Sequence, residues 1–283
     1  MRLASNGRQV GCFRSSVGSM SGELPAVGKT AVGVAGLRAL ESGRPDRLFE
    51  DPYAGAFFHA GRAIFEGREN HRELGMVFAQ QVAIRTRFFD DFVAGGTQTV
   101  LLAAGLDARA FRLDWPDGAR VFEVDLPDVL AFKETVLAEQ GARARCERTV
   151  VPVDLRDDWV TALRDKGFDP GKPTVWLAEG LLVYLSRDEA ERLLTAVTEV
   201  SAPGSRISFE HRPDGDRDGL LERARKYGGE VTALWRGGLA GDAPEWLAEH
   251  GWRPETVTVA ELSVRYGREP LEHTRGGFVL ATR

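Results

Sequence analysis

A glycine and a carboxylate about 20 residues apart are the first residues whose types and spacing suggest chemistry in this chain. Gly105 follows the unbroken apolar run Val100–Ala104, and a second apolar run, from Ala119, ends in the acidic pair Glu123 and Asp125. At a glycine the backbone can turn tightly and let a ligand come close. A carboxylate at this spacing accepts hydrogen bonds from the two hydroxyls of a ribose. The pattern predicts a nucleoside-binding site.

The residues around Gly105 distinguish between two nucleoside cofactors. The dinucleotide fingerprint G-x-G-x-x-G needs glycines where this chain has Ala103, Gly105 and Ala108. Ala108 is a tolerated replacement, but Ala103 cannot supply the first glycine, whose close approach a pyrophosphate needs. A sulfonium nucleoside carries no phosphate and needs less of it. The stretch therefore favours S-adenosylmethionine (SAM) over NAD, and a purely structural βαβ unit stays open as a third interpretation.

The elements that must position these residues alternate between strands and helices. Further apolar runs predict strands at Arg145–Val153, Thr174–Ala178 and Arg206–Glu210, with helices between them. This alternation predicts an α/β fold, a mainly parallel sheet covered by helices on both faces. The ligand of such a sheet lies beyond the carboxyl ends of its strands. The polar residues that fall on this edge are Asp125, Asp154, Glu179 and His211.

The flanking segments predict helices before the first strand, and the alternation of strands and helices is interrupted after the fifth strand. The predicted helices are Thr30–Glu41, one opened by Asp51-Pro52 and continuing through Phe65, a short one at Leu106–Arg112, and Glu73–Val93. We expect a disordered tail at 1–26, with Met20 as a candidate start, and a single domain at 27–283. Within it we expect a helical cap at 27–95, a core at 97–211, a lid at 212–245 and the end of the core at 246–283.

Composition and charge restrict the partners of this 283-residue chain. Lys and Arg number 37 against 42 Asp and Glu, mixed along the chain, for a formal charge of −5. Without a basic stripe, DNA and RNA are not expected as substrates. The 2 cysteines and 5 histidines have no metal-ligand spacing, so we expect no metal site. With neither a signal-peptide core nor a transmembrane run, we expect a cytoplasmic monomer or homodimer without membrane contact.

Several ordered stretches together resemble one protein family. They are AGLDARAFRL (104–113), FEVDLP (122–127), VDLRDDW (153–159) and LAEGLLVYLS (177–186), and IRTRFFDDF (84–92) and DPYA (51–54) agree with them. The chain resembles the leucine carboxyl methyltransferase-like class of SAM-dependent methyltransferases, and within it the actinobacterial branch that acts on small molecules. The resemblance extends from about Thr30 to the C terminus.

This resemblance implies a fold, a cofactor and a set of binding residues. The fold is the Rossmann-like sheet of class I methyltransferases, seven-stranded and mostly parallel with the last strand antiparallel, with an N-terminal helical cap and a lid inserted after strand five. The cofactor is SAM. The implied residues are Arg85 for its carboxylate, Glu179 near its amino group, Asp125 for the ribose, Asp154 and Leu155 beside the adenine, and Ala103 and Gly105 in place of two loop glycines. The methyl group of Ala103 is harmless if φ stays negative and otherwise crowds the methionine moiety.

The reaction expected is O-methylation of a small molecule. A carboxylate acceptor is already ionised at neutral pH, whereas a hydroxyl acceptor needs a general base. His211 is the candidate base at the ligand edge, with Glu210 and His273 as weaker options, and a structural role for His211 is equally open. Two other classes remain open, a non-catalytic SAM-binding protein and an NAD(P)-dependent oxidoreductase.

Overall fold

The apolar runs form one seven-stranded sheet in the computed structural model, which describes residues 26–65, 72–212, 235–270 and 276–283. Its strand order is β3-β2-β1-β4-β5-β7-β6, with parallel pairing from β3 to β5 and antiparallel pairing of β7 with both of its neighbours. The predicted fold class is confirmed. The strands are β1 (Gln98–Leu102), β2 (Arg120–Asp125), β3 (Glu147–Pro152), β4 (Val175–Ala178), β5 (Arg206–His211), β6 (Arg253–Thr258) and β7 (Gly277–Thr282).

Helices cover both faces of this sheet. They are α1 (Ala26–Ser42), α2 (Ala54–Gly61), α3 (Arg72–Val93), α4 (Arg109–Arg112), α5 (Pro127–Glu139), α6 (Trp159–Asp165), α7 (Arg187–Glu199), α8 (Ala243–Glu249) and α9 (Val259–Arg265). Short 3-10 helices occur at Arg62–Phe65, Leu182–Tyr184 and Ala240–Asp242. Among the helices that the structure describes, none is both long and apolar enough to cross a membrane.

Local hydrogen bonds determine where the helices begin. The Asp51 side chain accepts the backbone N–H groups of Tyr53 and Ala54 at 3.1 Å each, so α2 begins at Ala54 rather than at Pro52. Helix α7 begins directly after Ser186, because Ser186 and Glu189 form a reciprocal capping box. The predicted helix at Leu106–Arg112 is confined to the four residues of α4.

Two apolar clusters fix the sheet between its helical layers. Because side chains alternate along a strand, Val100 and Leu102 of β1 belong to one cluster and Leu101 to the other. The first cluster joins the sheet to α6, α7 and α8, and the second joins it to α1, α3, α5 and α9. The central strands are buried on both faces, which explains why their sequences are unbroken apolar runs.

The predicted tail and lid lie largely outside the described residues. Ala26, which we expected in the tail, is the first residue of α1. Of the lid predicted at 212–245, residues 213–234 are outside the description, so the lid stays a prediction. At its described end, the N–H groups of Arg236 and Gly238 donate to the carbonyls of Val183 and Leu185 at 2.7 and 2.9 Å. The segment therefore returns beside the loop that follows β4.

Candidate functional site

Asp125 joins the end of β2 to the loop after β1. Its Oδ2 accepts the N–H of Gly105 at 2.5 Å, and its Oδ1 accepts the N–H of Leu126 at 2.6 Å. The carboxyl group is buried, and burial raises its pKa although both N–H groups oppose the rise. Because a carboxylate has about four lone-pair positions, about two remain for a ligand at the sheet edge. This arrangement fits a ribose with two neighbouring hydroxyls.

Ala103 adopts a left-handed backbone conformation just before Gly105. Its φ of 53° makes it the sole non-glycine residue with a positive φ in the part of the chain that the structure describes. The alternative in which Ala103 keeps a negative φ is therefore wrong. Ala103 follows β1 directly, and the N–H of the next residue, Ala104, donates to the carbonyl of Val124 on β2 at 3.1 Å. A glycine would adopt this conformation without strain.

Replacing Ala103 with glycine should raise the free energy of unfolding by about 0.5–1 kcal/mol, because relief of the left-handed strain outweighs the added entropy of the unfolded chain. Urea unfolding measures the change. Ala138, exposed within α5, is the matched control, and its replacement by glycine should lower the stability by about 1 kcal/mol. Equal losses in both variants would contradict strain at Ala103.

A cluster of charged side chains lies at the carboxyl end of β4. The Nε of Arg85 lies 2.9 Å from Glu179 Oε1, and its Nη1 lies 3.2 Å from Glu210 Oε1. The two oxygens of Glu210 also accept the N–H of Gly180 at 2.9 and 2.8 Å. Arg85 on α3 is thereby held between two carboxylates from β4 and β5. A guanidinium beside a carboxylate is complementary to the carboxylate and ammonium groups of an amino acid.

Arg109 anchors this cluster from behind. It is buried, its Nη1 lies 2.7 Å from Glu179 Oε2, its Nε lies 2.7 Å from Asp90 Oδ1, and it also pairs with Asp107. No role was predicted for Arg109 from the sequence. The position of Arg109 within an apolar stretch could have indicated its role, because a charged side chain buried there needs a partner of opposite charge.

The surroundings separate the pKa values of the acids in this cluster. Burial is the largest influence on each of them and favours the protonated form. For Glu179 the charges of Arg109 and Arg85 more than offset burial, so its pKa is lowered. For Glu210 burial prevails, reinforced by the charge of Glu179, so its pKa is raised despite Arg85. Asp107 lies against Arg109, with Lys133 adding to the effect, and its pKa falls to about 2.

The remaining predicted site residues lie on the same edge without joining the charged cluster. Asp154, two residues beyond β3, accepts hydrogen bonds from the side chain of Arg156, and Leu155 packs against the first apolar cluster. His211 ends β5 and is buried. Because side chains alternate along a strand, His211 lies on the opposite face of β5 from Glu210. Among the predicted residues, the structure shows direct contacts of Arg85 with Glu179 and Glu210, and of Gly105 with Asp125.

Within the described ranges, no group of three or more His, Cys, Asp or Glu side chains could hold a metal ion. Comparison with known proteins identifies the organic cofactor. The profile of the leucine carboxyl methyltransferase family matches residues 31–198. The chain belongs to this family.

Curated relatives from actinobacteria agree with this membership. A relative from Parafrankia is 49% identical over 273 residues, covering 91% of this chain and 87% of its own length. A relative from Streptomyces avermitilis is 43% identical over 272 residues, covering 90% of this chain and 94% of its own. Both are named as S-adenosyl-L-methionine-dependent methyltransferases. The predicted family and cofactor are confirmed, and this leucine carboxyl methyltransferase family member is a SAM-dependent methyltransferase.

Solved structures support the fold. A chain from Thermobifida fusca, named as a methyltransferase, is 20% identical with a TM-score of 0.53 and covers 88% of this chain and 94% of itself. A DUF574 family protein from Streptomyces avermitilis is 16% identical with a TM-score of 0.53 and covers 88% of this chain and 96% of itself. These likenesses indicate the shared fold alone.

Proposed function

We propose that this family member transfers the methyl group of SAM to an oxygen atom of a small molecule. The supporting observation is that the carboxylates gathered at the sheet edge are all engaged by donors, Asp125 by backbone N–H groups and Glu179 and Glu210 by arginine. The pKa of Glu179 is lowered, which makes it a poor proton acceptor, and the Asp125 carboxylate is committed to its backbone hydrogen bonds. The site therefore suits an acceptor that is already ionised, and a carboxylate is the first candidate. The family's name, which describes carboxyl methylation, supports the same choice.

The residues present fit the parts of the cofactor. We assign its carboxylate to Arg85, its ammonium group to Glu179, its ribose to Asp125, and its adenine to Asp154 and Leu155. Gly105 and Ala103 shape the loop that approaches the methionine moiety. When bound, SAM supplies an electrophilic methyl group on a sulfonium centre. The work of the chain is to orient the two reactants and exclude water.

A hydroxyl acceptor is the second candidate, because His211 is buried at the end of β5 and is able to act as a general base there. In either case we propose a small molecule as the acceptor, and the net charge of −5 disfavours a nucleic acid. A secondary metabolite is consistent with the actinobacterial relatives.

Methyl turnover tests the proposal. The protein is incubated with radiolabelled SAM and two matched panels, small carboxylic acids and small phenols, and the labelled products are separated. We expect methyl esters from the acids and full activity of the His211→Ala variant. Turnover of phenols alone, with loss of at least 100-fold in His211→Ala, would assign the hydroxyl reaction. Absence of turnover on both panels, with SAM binding intact, would favour the non-catalytic SAM-binding protein.

A further inference from the structure

The Arg85 guanidinium is shared between two carboxylates in this structure. Glu179 contacts its Nε at 2.9 Å, and Glu210 contacts its Nη1 at 3.2 Å. Glu179 has a second cation, because Arg109 lies 2.7 Å from its other oxygen. Glu210 has no such second cation among its described contacts, and its remaining donors are the backbone N–H groups of Gly180 and of Glu210 itself. Of the two carboxylates on Arg85, Glu210 is therefore the more weakly held.

A third carboxylate on this guanidinium would create a conflict of charge. The proposed function places the carboxylate of the cofactor on Arg85, and the inference rests on that assignment. Arg109 and the ammonium group of the cofactor would compensate Glu179, whereas Glu210 and the incoming carboxylate would compete for the single guanidinium of Arg85 as unfavourable neighbours. Either Glu210 loses its charge or the cofactor loses affinity.

The groups around Glu210 identify it as the one that changes. Arg85 faces it from α3, Glu179 and Gly180 face it from the end of β4, and Tyr184 lies near Arg85 on the following 3-10 helix. The pKa of Glu210 is raised by burial and by the charge of Glu179. The pKa of Glu179 is instead lowered. With 28% of its side chain exposed, Glu210 can exchange a proton with water.

We propose that Glu210 occupies the cofactor's place on Arg85, and that it gives up this contact and takes up one proton when the cofactor carboxylate binds. Glu210 is thus a further residue of the cofactor site, and it makes binding depend on pH. Since binding takes up a proton, affinity falls as the pH rises above the pKa of Glu210 in the free protein.

Calorimetric titration with S-adenosylhomocysteine tests this without turnover. Titrations in two buffers of different ionisation enthalpy at each pH from 6 to 8 give the affinity and the number of protons taken up. We expect the affinity of the unaltered protein to fall about tenfold over this range, with net proton uptake. The second ligand is 5′-methylthioadenosine, which lacks the amino-acid moiety. Its affinity should not depend on pH.

Glu210→Gln should bind S-adenosylhomocysteine about tenfold more tightly than the unaltered protein at pH 8, without net proton uptake. Its affinity for 5′-methylthioadenosine should not change. Glu249→Gln, at an exposed position on α8, is the matched control. His211→Gln should retain the proton uptake, which separates Glu210 from the neighbouring imidazole.

Three results would overturn the inference. The first is weaker binding of S-adenosylhomocysteine by Glu210→Gln, and the second is proton uptake that persists in that variant. The third is the absence of proton uptake by the unaltered protein, a result that does not depend on the folding of any variant. Arg85→Ala tests the underlying assignment separately. It should bind S-adenosylhomocysteine at least tenfold more weakly, while Arg87→Ala, at a half-buried position on the same helix, should bind it as the unaltered protein does. Unchanged affinity in Arg85→Ala would remove the assignment itself, whatever Glu210 does.

Discussion

Replacing Asp125 with alanine should weaken the binding of S-adenosylhomocysteine about 100-fold, or by about 3 kcal/mol. The side chain is buried at the end of β2 and already accepts two backbone N–H groups, at 2.5 and 2.6 Å. Its remaining lone pairs would accept the two ribose hydroxyls. A hydrogen bond to a charged acceptor contributes about 1.5–3 kcal/mol. The substitution also removes the hydrogen bond that ties the N–H of Gly105 to the end of β2.

Calorimetry of a graded series measures this effect. Asp125→Asn keeps one acceptor oxygen and should lose about tenfold in affinity, between the unaltered protein and Asp125→Ala. Asp157→Ala removes an exposed carboxylate beyond β3 and should leave affinity unchanged. If Asp125→Ala remains folded and binds as tightly as the unaltered protein, the ribose assignment is wrong.

Replacing Arg109 with leucine should lower the free energy of unfolding by about 3–5 kcal/mol. Arg109 is buried among Asp90, Asp107 and Glu179, so its loss leaves carboxylates in a low-dielectric environment with fewer cations. Asp90 keeps Arg112 and Glu179 keeps Arg85, whereas Asp107 loses the arginine to which it is directly bonded. Thermal unfolding should show a fall in Tm of about 10 °C.

Two further variants separate an unpaired charge from lost packing. The double variant Arg109→Leu Asp107→Asn should recover at least about 1 kcal/mol, because it removes the carboxylate left without its cation. Arg145→Leu, at an exposed pair with Asp114, should change the stability by less than about 1 kcal/mol. A loss in Arg109→Leu as small as that in Arg145→Leu would show that the buried network adds no net stability.

The strands could be predicted because local sequence determines them, and the prediction of a nucleoside site rests on local spacing in the same way. A parallel strand buried on two faces must be apolar at every position, so runs such as Val100–Ala104 are visible without any tertiary information. The distance from Gly105 to Asp125 is fixed by one βαβ unit, and the structure brings the two into contact at 2.5 Å. Helix boundaries were less accurate, as at Asp51, because a single side-chain hydrogen bond moves them by one or two residues.

The charged cluster depends instead on contacts between residues far apart in the chain. Glu179 and Arg109 are separated by 70 residues, and Glu210 and Arg85 by 125. They meet because β1, β4 and β5 are neighbours in the sheet and α3 packs across one face, which no local pattern specifies.

The sequence by itself determined the strand and helix order and the family resemblance, and it supplied the proposed residues of the cofactor site. The tertiary structure alone decided that Ala103 is left-handed, that Arg109 fixes Glu179, and that Arg85 is shared with Glu210. The physical reason is the distance along the chain over which each interaction acts. Periodicity and turn chemistry act over a few residues, whereas burial and the pairing of charges depend on which distant elements the sheet places side by side.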